Sequence, residues 1–566
     1  MAGVDGALSP SRLHLRTGFG IGFLVSTLIL FTGTVASGFE SGSAAVPVGD
    51  PVYRFLDHCV ARGILPIWST GVRPVSRLEV GRMLLQVATR FPALDDRVLG
   101  ADLDYYLREF TWDIERLEPQ TGTPERVARS IHYNPGAALK TPHRHLSVLR
   151  TDNFSFIFDP IGWARVDASE KKTIFRRATG IQFRGNFSRR LGYYFRFVDH
   201  VERGNEPYSN RDKLLDDRYG YVGPLQDGNQ TYYDLTEAYI NVGWRWFEVT
   251  FGKDRALWGS GCDDNLLLSG WGPSFDHLRI IVEPVRRIRF TYLVGRLQAT
   301  GVPVDTMYRT DKGWVRIEPA PKWLAAHRLE YSPWEPVVFG VSEAIVWGER
   351  GLDPAYLNPI NFYYSAEHNG NDQDNVLMSG DFRVRIARRG MVYGELLIDD
   401  MQLTALGKGD PSNKLGVLLG GWLADTGIDG LECGLEYTRL QPFIYSHFYP
   451  VNRYSNWTSS LGSELSPNSD RVRWRVSYRP RRSLELGVTV DHTRHGSVGG
   501  ELNETIPPGS NTKIQFLDGE SAEWNTVGTS LKWEPKTGFI LQTGWLNGDN
   551  TTFLPDRYYF SVGYRY

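Results

Sequence analysis

From about residue 150 onward the chain alternates between apolar and polar positions. Leu431, Cys433, Leu435 and Tyr437 are interleaved with Glu432, Gly434, Glu436 and Thr438. Val472, Trp474, Val476 and Tyr478 are interleaved with Arg471, Arg473, Arg475 and Ser477. Leu484, Leu486, Val488 and Val490 follow the same rule with Glu485, Gly487, Thr489 and Asp491, as do Ile288, Phe290, Tyr292 and Val294 with Arg287, Arg289 and Thr291. A period of two puts the two sets on opposite faces of a β-strand. Roughly 18 such segments can be counted. Their connections alternate as well. Tight turns at 188–192, 244–246, 283–286, 332–336, 387–390, 479–482 and 534–538 are separated by long loops at 201–230, 253–276, 298–322, 348–375, 441–469 and 494–522. Short turns at one end and long loops at the other predict an all-β fold, an up-and-down transmembrane antiparallel β-barrel of the outer membrane. A soluble sandwich would not alternate its loop lengths, and three Arg on one strand face suit a wet lumen better than a packed core.

The last strand fixes the orientation. Tyr558, Phe560, Val562, Tyr564 and Tyr566 alternate up to the final residue. A terminal aromatic of this kind is what barrel-insertion machinery reads, so that machinery and outer-membrane lipids are expected partners. The C-terminus and the tight turns are placed on the periplasmic side, and the long loops face outward.

Before residue 120 the period is helical. Val52, Phe55, Leu56, Cys59 and Val60 recur at helical spacing, and Gly63 is a stop. Ser76 and Glu79 have the spacing of a capping box. A third helix is expected over 95–117, with Leu99, Leu103, Leu107, Phe110 and Ile114 on one side. This small N-terminal periplasmic α-helical bundle, 50–118, is too small to be stable alone and is expected to lean on the barrel. A polar linker, 119–149, joins it to the barrel, 150–566. Arg12 and Arg16 precede an apolar stretch from Phe19 to Phe31, and Val35-Ala36-Ser37 has small residues where a signal peptidase needs them. Residues 1–37 therefore read as a signal peptide; a single N-terminal anchor is the alternative.

Composition narrows the picture. The 566 residues are 41% hydrophobic and 13% aromatic, with a formal net charge of −2. No apolar run of about 20 residues follows residue 40, which excludes a helical membrane protein. The near-zero charge gives a nucleic acid nothing to hold. Three Cys without a C-x-x-C pair offer neither a disulfide framework nor a zinc motif, and neither cofactor nor metal is expected.

Several blocks carry a resemblance. Residues 53–63 read YRFLDHCVARG and 73–79 read RPVSRLE; 251–261 read FGKDRALWGSG, followed by LLLS at 266–269 and FDHLR at 275–279. Then come AYLNPINFYYSAE at 355–367, DQDN at 372–375 and GELLIDD at 394–400. In this order they resemble the Wzi capsule assembly family, over essentially the whole mature chain. The resemblance implies an outer-membrane barrel of about 18 strands with a periplasmic helical bundle. It also implies a lectin-like role, not an enzymatic one, in attaching or organising capsular or extracellular polysaccharide at the cell surface.

Aromatic faces stack on pyranose rings, planar polar groups fork to hydroxyl pairs, and Arg suits acidic polymers. Three loops combine these groups. The first holds Trp258, Trp271 and Asp276, the second Tyr356, Asn358, Asn361, Tyr363 and Tyr364, and the third Tyr445, Tyr449, Arg453, Tyr454 and Trp457. The first two carry the family-like blocks, and for them a fixed plug inside the barrel is as good a reading as a sugar site. The third is expected to be an exposed outer loop. Arg287, Arg289, Arg471, Arg473 and Arg475 are expected to face the lumen, with Glu432, Glu436 and Glu485 as partners. Paired, they stiffen the wall; unpaired, they attract anions. A monomer is expected. A porin or solute channel is the alternative function. A hydrolase lacks a recognisable nucleophile motif.

Overall fold

The computed structural model describes residues 42–564 apart from 67–70, 91–95, 118–142, 144, 170–171, 205–224, 228–229, 245, 286, 300–306, 314, 318, 371–372, 388, 401–412, 507–512 and 549–555. The expected signal segment, most of the linker and the terminal Tyr566 lie outside the described residues.

The alternating segments form a closed antiparallel barrel of 18 strands. They are β1 Phe154–Ser169, β2 Lys172–Phe187, β3 Leu191–Gly204, β4 Gln230–Trp244, β5 Phe247–Asp254 and β6 Phe275–Val285. The circuit continues through β7 Ile288–Gln298, β8 Pro321–Tyr331, β9 Val337–Gly348, β10 Asn375–Ile386, β11 Gly390–Asp400 and β12 Lys414–Ala424. It ends with β13 Leu431–Leu440, β14 Ser469–Arg481, β15 Leu484–Gly496, β16 Ser521–Lys536, β17 Phe539–Gly548 and β18 Arg557–Tyr564. Each strand pairs with its sequence neighbour, and β18 pairs back onto β1 with Tyr558 opposite Ala168. Closure satisfies the backbone groups that lipid would leave unpaired. No helix of the described residues is long and apolar enough to cross a membrane.

The faces fall as the alternation requires. Leu435, Trp474, Val488 and Phe560 are exposed on the outer wall, where lipid would cover them, while Glu432, Glu436 and Arg471 are buried inside. A barrel of about 18 strands is too wide for its own side chains to fill. The chain fills this one from both ends.

At the periplasmic end sits the helical head. Helix α1, Pro51–Ala61, is capped by the Asp50 carboxylate, which accepts from the Val52 amide at 3.0 Å, and Pro51 supplies a preset first turn. Helix α2, Arg77–Arg90, takes half of the expected capping box: Ser76 Oγ accepts from the Glu79 amide at 3.3 Å. The Glu79 carboxylate does not reach back. It accepts from Arg289 of the wall at 2.6 Å, because a buried guanidinium is the stronger partner. The expected third helix is two, α3 Arg97–Glu109 and α4 Thr111–Glu115, broken at Phe110. Their shared core continues into Val338, Met391 and Ala424 at the periplasmic ends of the barrel strands. The head is therefore a stopper inside the barrel end.

Charges lock it there. Arg54 donates to Glu432 at 2.5 Å and also meets Glu485. Arg383 meets Asp57 at 3.1 Å, and Arg479 meets Asp102 at 2.7 Å. His58 is enclosed between Glu432, 2.9 Å from Nδ1, and Asp425, 3.1 Å from Nε2. Burial alone would depress the imidazole pKa, but hydrogen bonds to Asp425 and Glu432 outweigh it and hold the pKa above the usual 6.5.

Two tests follow from this arrangement. Leu435→Arg or Val488→Arg is expected to lower the unfolding free energy of the lipid-inserted barrel by about 2–4 kcal/mol near the midplane, measured by urea titration in vesicles. Because the folded pKa of His58 is raised, its stabilisation is fully present below pH 6.5 and is lost as pH rises through the raised value. Head opening, read as thiol labelling of the buried Cys59 in a Cys262→Ser, Cys433→Ser background, is expected to rise over that window in the native chain relative to His58→Gln. Parallel pH profiles for the two chains would show that His58 does not titrate with docking.

Candidate functional site

After β5 the chain turns into the lumen instead of rising outward. Leu257–Trp258 pairs on one side with Val72–Arg73 of the head and on the other with Leu268–Ser269, so head and loop share a small three-stranded sheet inside the barrel. Gly259 permits the turn. Its φ is +140°, and a Cβ there would lie 2.2 Å from Asn265 Oδ1. Beneath it the Ser260 carbonyl accepts from Arg383 at 2.8 Å, and the Ser260 hydroxyl meets the Asp381 carboxylate. Arg328, fully buried, forks onto that same carboxylate at 2.6 and 3.0 Å and reaches Glu330 at 3.3 Å.

The tip of this inward loop, Leu266-Leu267, is held through both sides of its backbone. Its two amides donate to the buried Glu395 carboxylate at 2.8 and 3.2 Å, and Ser379 Oγ donates to the same group at 2.7 Å. Its two carbonyls accept from the hydroxyls of Tyr445 and Tyr454 at 2.7 and 2.9 Å. The two tyrosine rings stack at 5.8 Å, and the Tyr445 amide donates to Asp399 at 2.6 Å. The outer loop 441–468 is thus drawn down as a second layer over the first. Trp258, Leu266, Leu267, Tyr445 and Tyr454 belong to one apolar core in mid-lumen.

This corrects the expected outer loop. Tyr445 and Tyr454 are wholly buried, because their hydroxyls satisfy the tip carbonyls and their rings fill the lumen. Trp258 is buried within the plug. Tyr356 and Tyr363 are also buried, but against the outside of the wall, and Asn361 serves the turn between them by donating to Ala355 O at 2.8 Å. Asp276 is exposed, one residue out of step with the lumenal His277, so it too faces outward from the wall. Asn358 and Tyr364 are exposed beside that outer-wall segment. Trp271, Arg453 and Trp457 are half-buried at the outer mouth; the Trp457 amide donates to Gln298 O at 2.9 Å and Arg453 donates to Asn503 O at 3.0 Å. Tyr449 is exposed there, its ring edge-on to Phe448 at 5.3 Å. Phe448, 59% exposed, is absent from the sequence-derived set. A lone Phe in a loop carries no polar group that would set it apart from a residue of the core.

The lumenal charges are paired, with other partners than expected. Arg471 and Arg473 share Glu464 at 2.6 and 3.1 Å, Arg473 also meets Asp491 at 2.8 Å, and Arg475 meets Asp263. Arg289 lies between Glu283 and Glu79. Glu432 and Glu485 serve the head, and Glu436 accepts from Tyr393 at 2.9 Å. Arg287 is not lumenal. It occupies the β6–β7 turn with φ +74°, exposed, and donates to Pro333 O at 3.1 Å. Strand alternation stops where the turn begins.

Residues 160–548 match the family model described as capsule assembly protein Wzi. The chain belongs to the Wzi capsule assembly family. It is an outer-membrane β-barrel. Among solved structures it is similar to Wzi of Escherichia coli, described as an outer membrane protein involved in group 1 capsule assembly and a carbohydrate-binding β-barrel. The identity is 13% and the TM-score 0.55, over 92% of this chain and 100% of that one, so the likeness is one of fold. It is also similar to OccAB3 of Acinetobacter baumannii, at 11% identity and TM-score 0.41 over 73% of this chain and 98% of that one. OprD of Pseudomonas aeruginosa stands at 10% and 0.38, over 72% and 92%. Overlaps that weak carry no argument about this member of the Wzi family. No curated protein matches the chain in sequence.

Glu395 is the pin of the plug. Glu395→Ala leaves two buried amides without an acceptor, at a cost of about 1–3 kcal/mol each. The expected outcome is a loosened inward loop and a higher single-channel conductance in planar bilayers than the unsubstituted protein shows. Unchanged conductance would place the barrier elsewhere in the lumen.

Proposed function

We propose that this barrel holds capsular polysaccharide at the cell surface by its outward-facing plug, and that it binds the polymer without transforming it. The observation that carries the reading is a lumen occupied by chain from both ends, with an aromatic edge left at the outer mouth. A filled lumen spends its polar groups on internal pairs, which leaves the outer surface of loop 441–468 as the working face. Phe448 and Tyr449 present two rings at right angles, a shape that takes the apolar side of a pyranose on one face. Arg453, Trp457 and Trp271 lie half-buried along the same mouth and supply a cation and further rings. The buried carboxylates Glu395 and Asp381 are engaged in holding the inward loop. They lie below the plug surface, out of reach of a polymer.

The solute-channel reading needs an open path. Head and inward loop occupy that path together, joined through one small sheet.

The test is polymer retention. Phe448→Ala with Tyr449→Ala is expected to shift polysaccharide from the cell-bound to the shed fraction at unchanged barrel level, because exposed loop side chains add little to barrel stability. Tyr445→Phe, by contrast, acts inside the plug and is expected to leave the surface rings in place. Retention unchanged in the double variant but lost on deleting the whole protein would move the binding face to Trp271 and Arg453. Retention unchanged in both would defeat the reading.

A further inference from the structure

The loop between β9 and β10 neither plugs the lumen nor rises over the mouth. It folds back along the outside of the wall. Its two short helices, α5 Pro354–Leu357 and α6 Tyr363–Asn369, pack through the buried Tyr356 and Tyr363 onto Ala325, Ile345, Trp347 and Val376. Those wall residues point away from the lumen, since their strand neighbours Leu324, Ala344, Val346 and Leu377 belong to the lumenal core. Bonds from outward-facing side chains fasten the segment. The indoles of Trp323 and Trp347 donate to Arg350 O and Gly351 O at 3.2 and 3.0 Å, and the Tyr292 hydroxyl donates to Tyr356 O at 3.2 Å.

At the centre lies a carboxylate on the lipid side of the wall. Glu343 accepts from the amides of Tyr363 and Tyr364 at 2.9 and 2.8 Å, with His327 Nε2 3.2 Å away. A charge at such a position is costly in hydrocarbon unless partners enclose it. The segment encloses it and turns an apolar surface outward. Ile360 is 75% exposed, and Leu357 and Phe362 are exposed beside it. Below, on the same wall, Phe339 and Val341 continue this surface into the lipid-facing band.

We infer that the 349–370 segment is a membrane-interface element, seated on the outer half of β8–β10 with Ile360, Phe362 and Leu357 against the acyl chains of outer-leaflet lipids, and with Glu343 as its pin. Lipid is the occupant because the apolar surface is continuous with the band that lipid already covers, and a soluble loop gains nothing by exposing Ile, Phe and Leu to water. The inference is independent of polysaccharide binding. It gives a different role to Tyr356, Asn358, Asn361, Tyr363 and Tyr364.

The test places a photoreactive benzoylphenylalanine at Ile360 in the full chain and irradiates intact outer membranes. Val341, on the lipid-facing wall, is the positive control, and Glu501, exposed on the 497–520 loop, is the negative one. The expected result is an acyl-chain adduct at position 360 in yield similar to position 341 and several-fold above position 501. A yield equal to that at 501 would overturn the inference, and a cross-linked dimer would assign the surface to a second copy. In addition, Glu343→Ala is expected to reduce the adduct at 360 while leaving that at 341 unchanged, and Glu343→Gln, which keeps an acceptor, to retain it in part. If these variants fail to insert, the comparison of 360, 341 and 501 in the otherwise native chain decides.

Discussion

An antiparallel barrel of this circumference encloses more space than its own side chains can fill, and the rest of the structure answers that constraint. Left open, the lumen would be a water channel lined by Arg, Asp and Glu. The chain instead inserts a helical stopper from the periplasmic end and a folded loop from the outer end. The two meet at a three-strand sheet, Val72–Arg73 beside Leu257–Trp258 beside Leu268–Ser269. Neither insert has a core of its own size, so each is stable by virtue of the wall and of the other.

Filling the lumen makes its charges expensive unless they are matched. The matching runs between elements rather than within them. The head supplies Arg54 and His58 to Glu432, Asp57 to Arg383, Asp102 to Arg479 and Glu79 to Arg289. The inward loop supplies Asp263 to Arg475, and its backbone satisfies Glu395 and Arg383. Such a network specifies one arrangement, since sliding the head or loop by a residue would strand several buried charges at once. It also explains how a surface loop can carry a fixed shape. Tyr445 and Tyr454 hold loop 441–468 to the plug from below, so its exposed rings sit on a rigid base.

The same rule applies outside the wall. Glu343 and His327 break the apolar face of β8 and β9, and a helical segment covers them. A polar residue on the lipid side of a strand is thus a signal that something packs over it. The alternation displayed this pair, but reading it requires knowing which face is outside at that strand, and both faces there carry charges.

Much was legible in the sequence because it depends on local periodicity. The two-residue alternation gave the strands, their lipid face and the barrel; helical spacing and capping residues gave the head. Of the five Arg expected in the lumen, Arg289, Arg471, Arg473 and Arg475 lie there and are paired, and Arg287 does not. Their partners were not legible, because Glu464 and Asp263 come from loops that fold into the lumen, and Asp491 faces Arg473 only in the register the β14–β15 hairpin adopts. Candidate binding residues were the least legible. An aromatic beside Asn or Arg looks the same in sequence whether its ring stacks on a sugar or its hydroxyl caps a buried carbonyl. Tyr445 and Tyr449, four residues apart, divide on that point: one is enclosed in the lumen and the other exposed at its mouth. Sequence alone determined what each strand offers to lipid and to the lumen, because that follows from a repeat of two along a single chain. Only the tertiary structure decided which loops turn inward, which climbs the outer wall and which rings remain outside, because those choices depend on where buried carboxylates and open space lie once the barrel has closed.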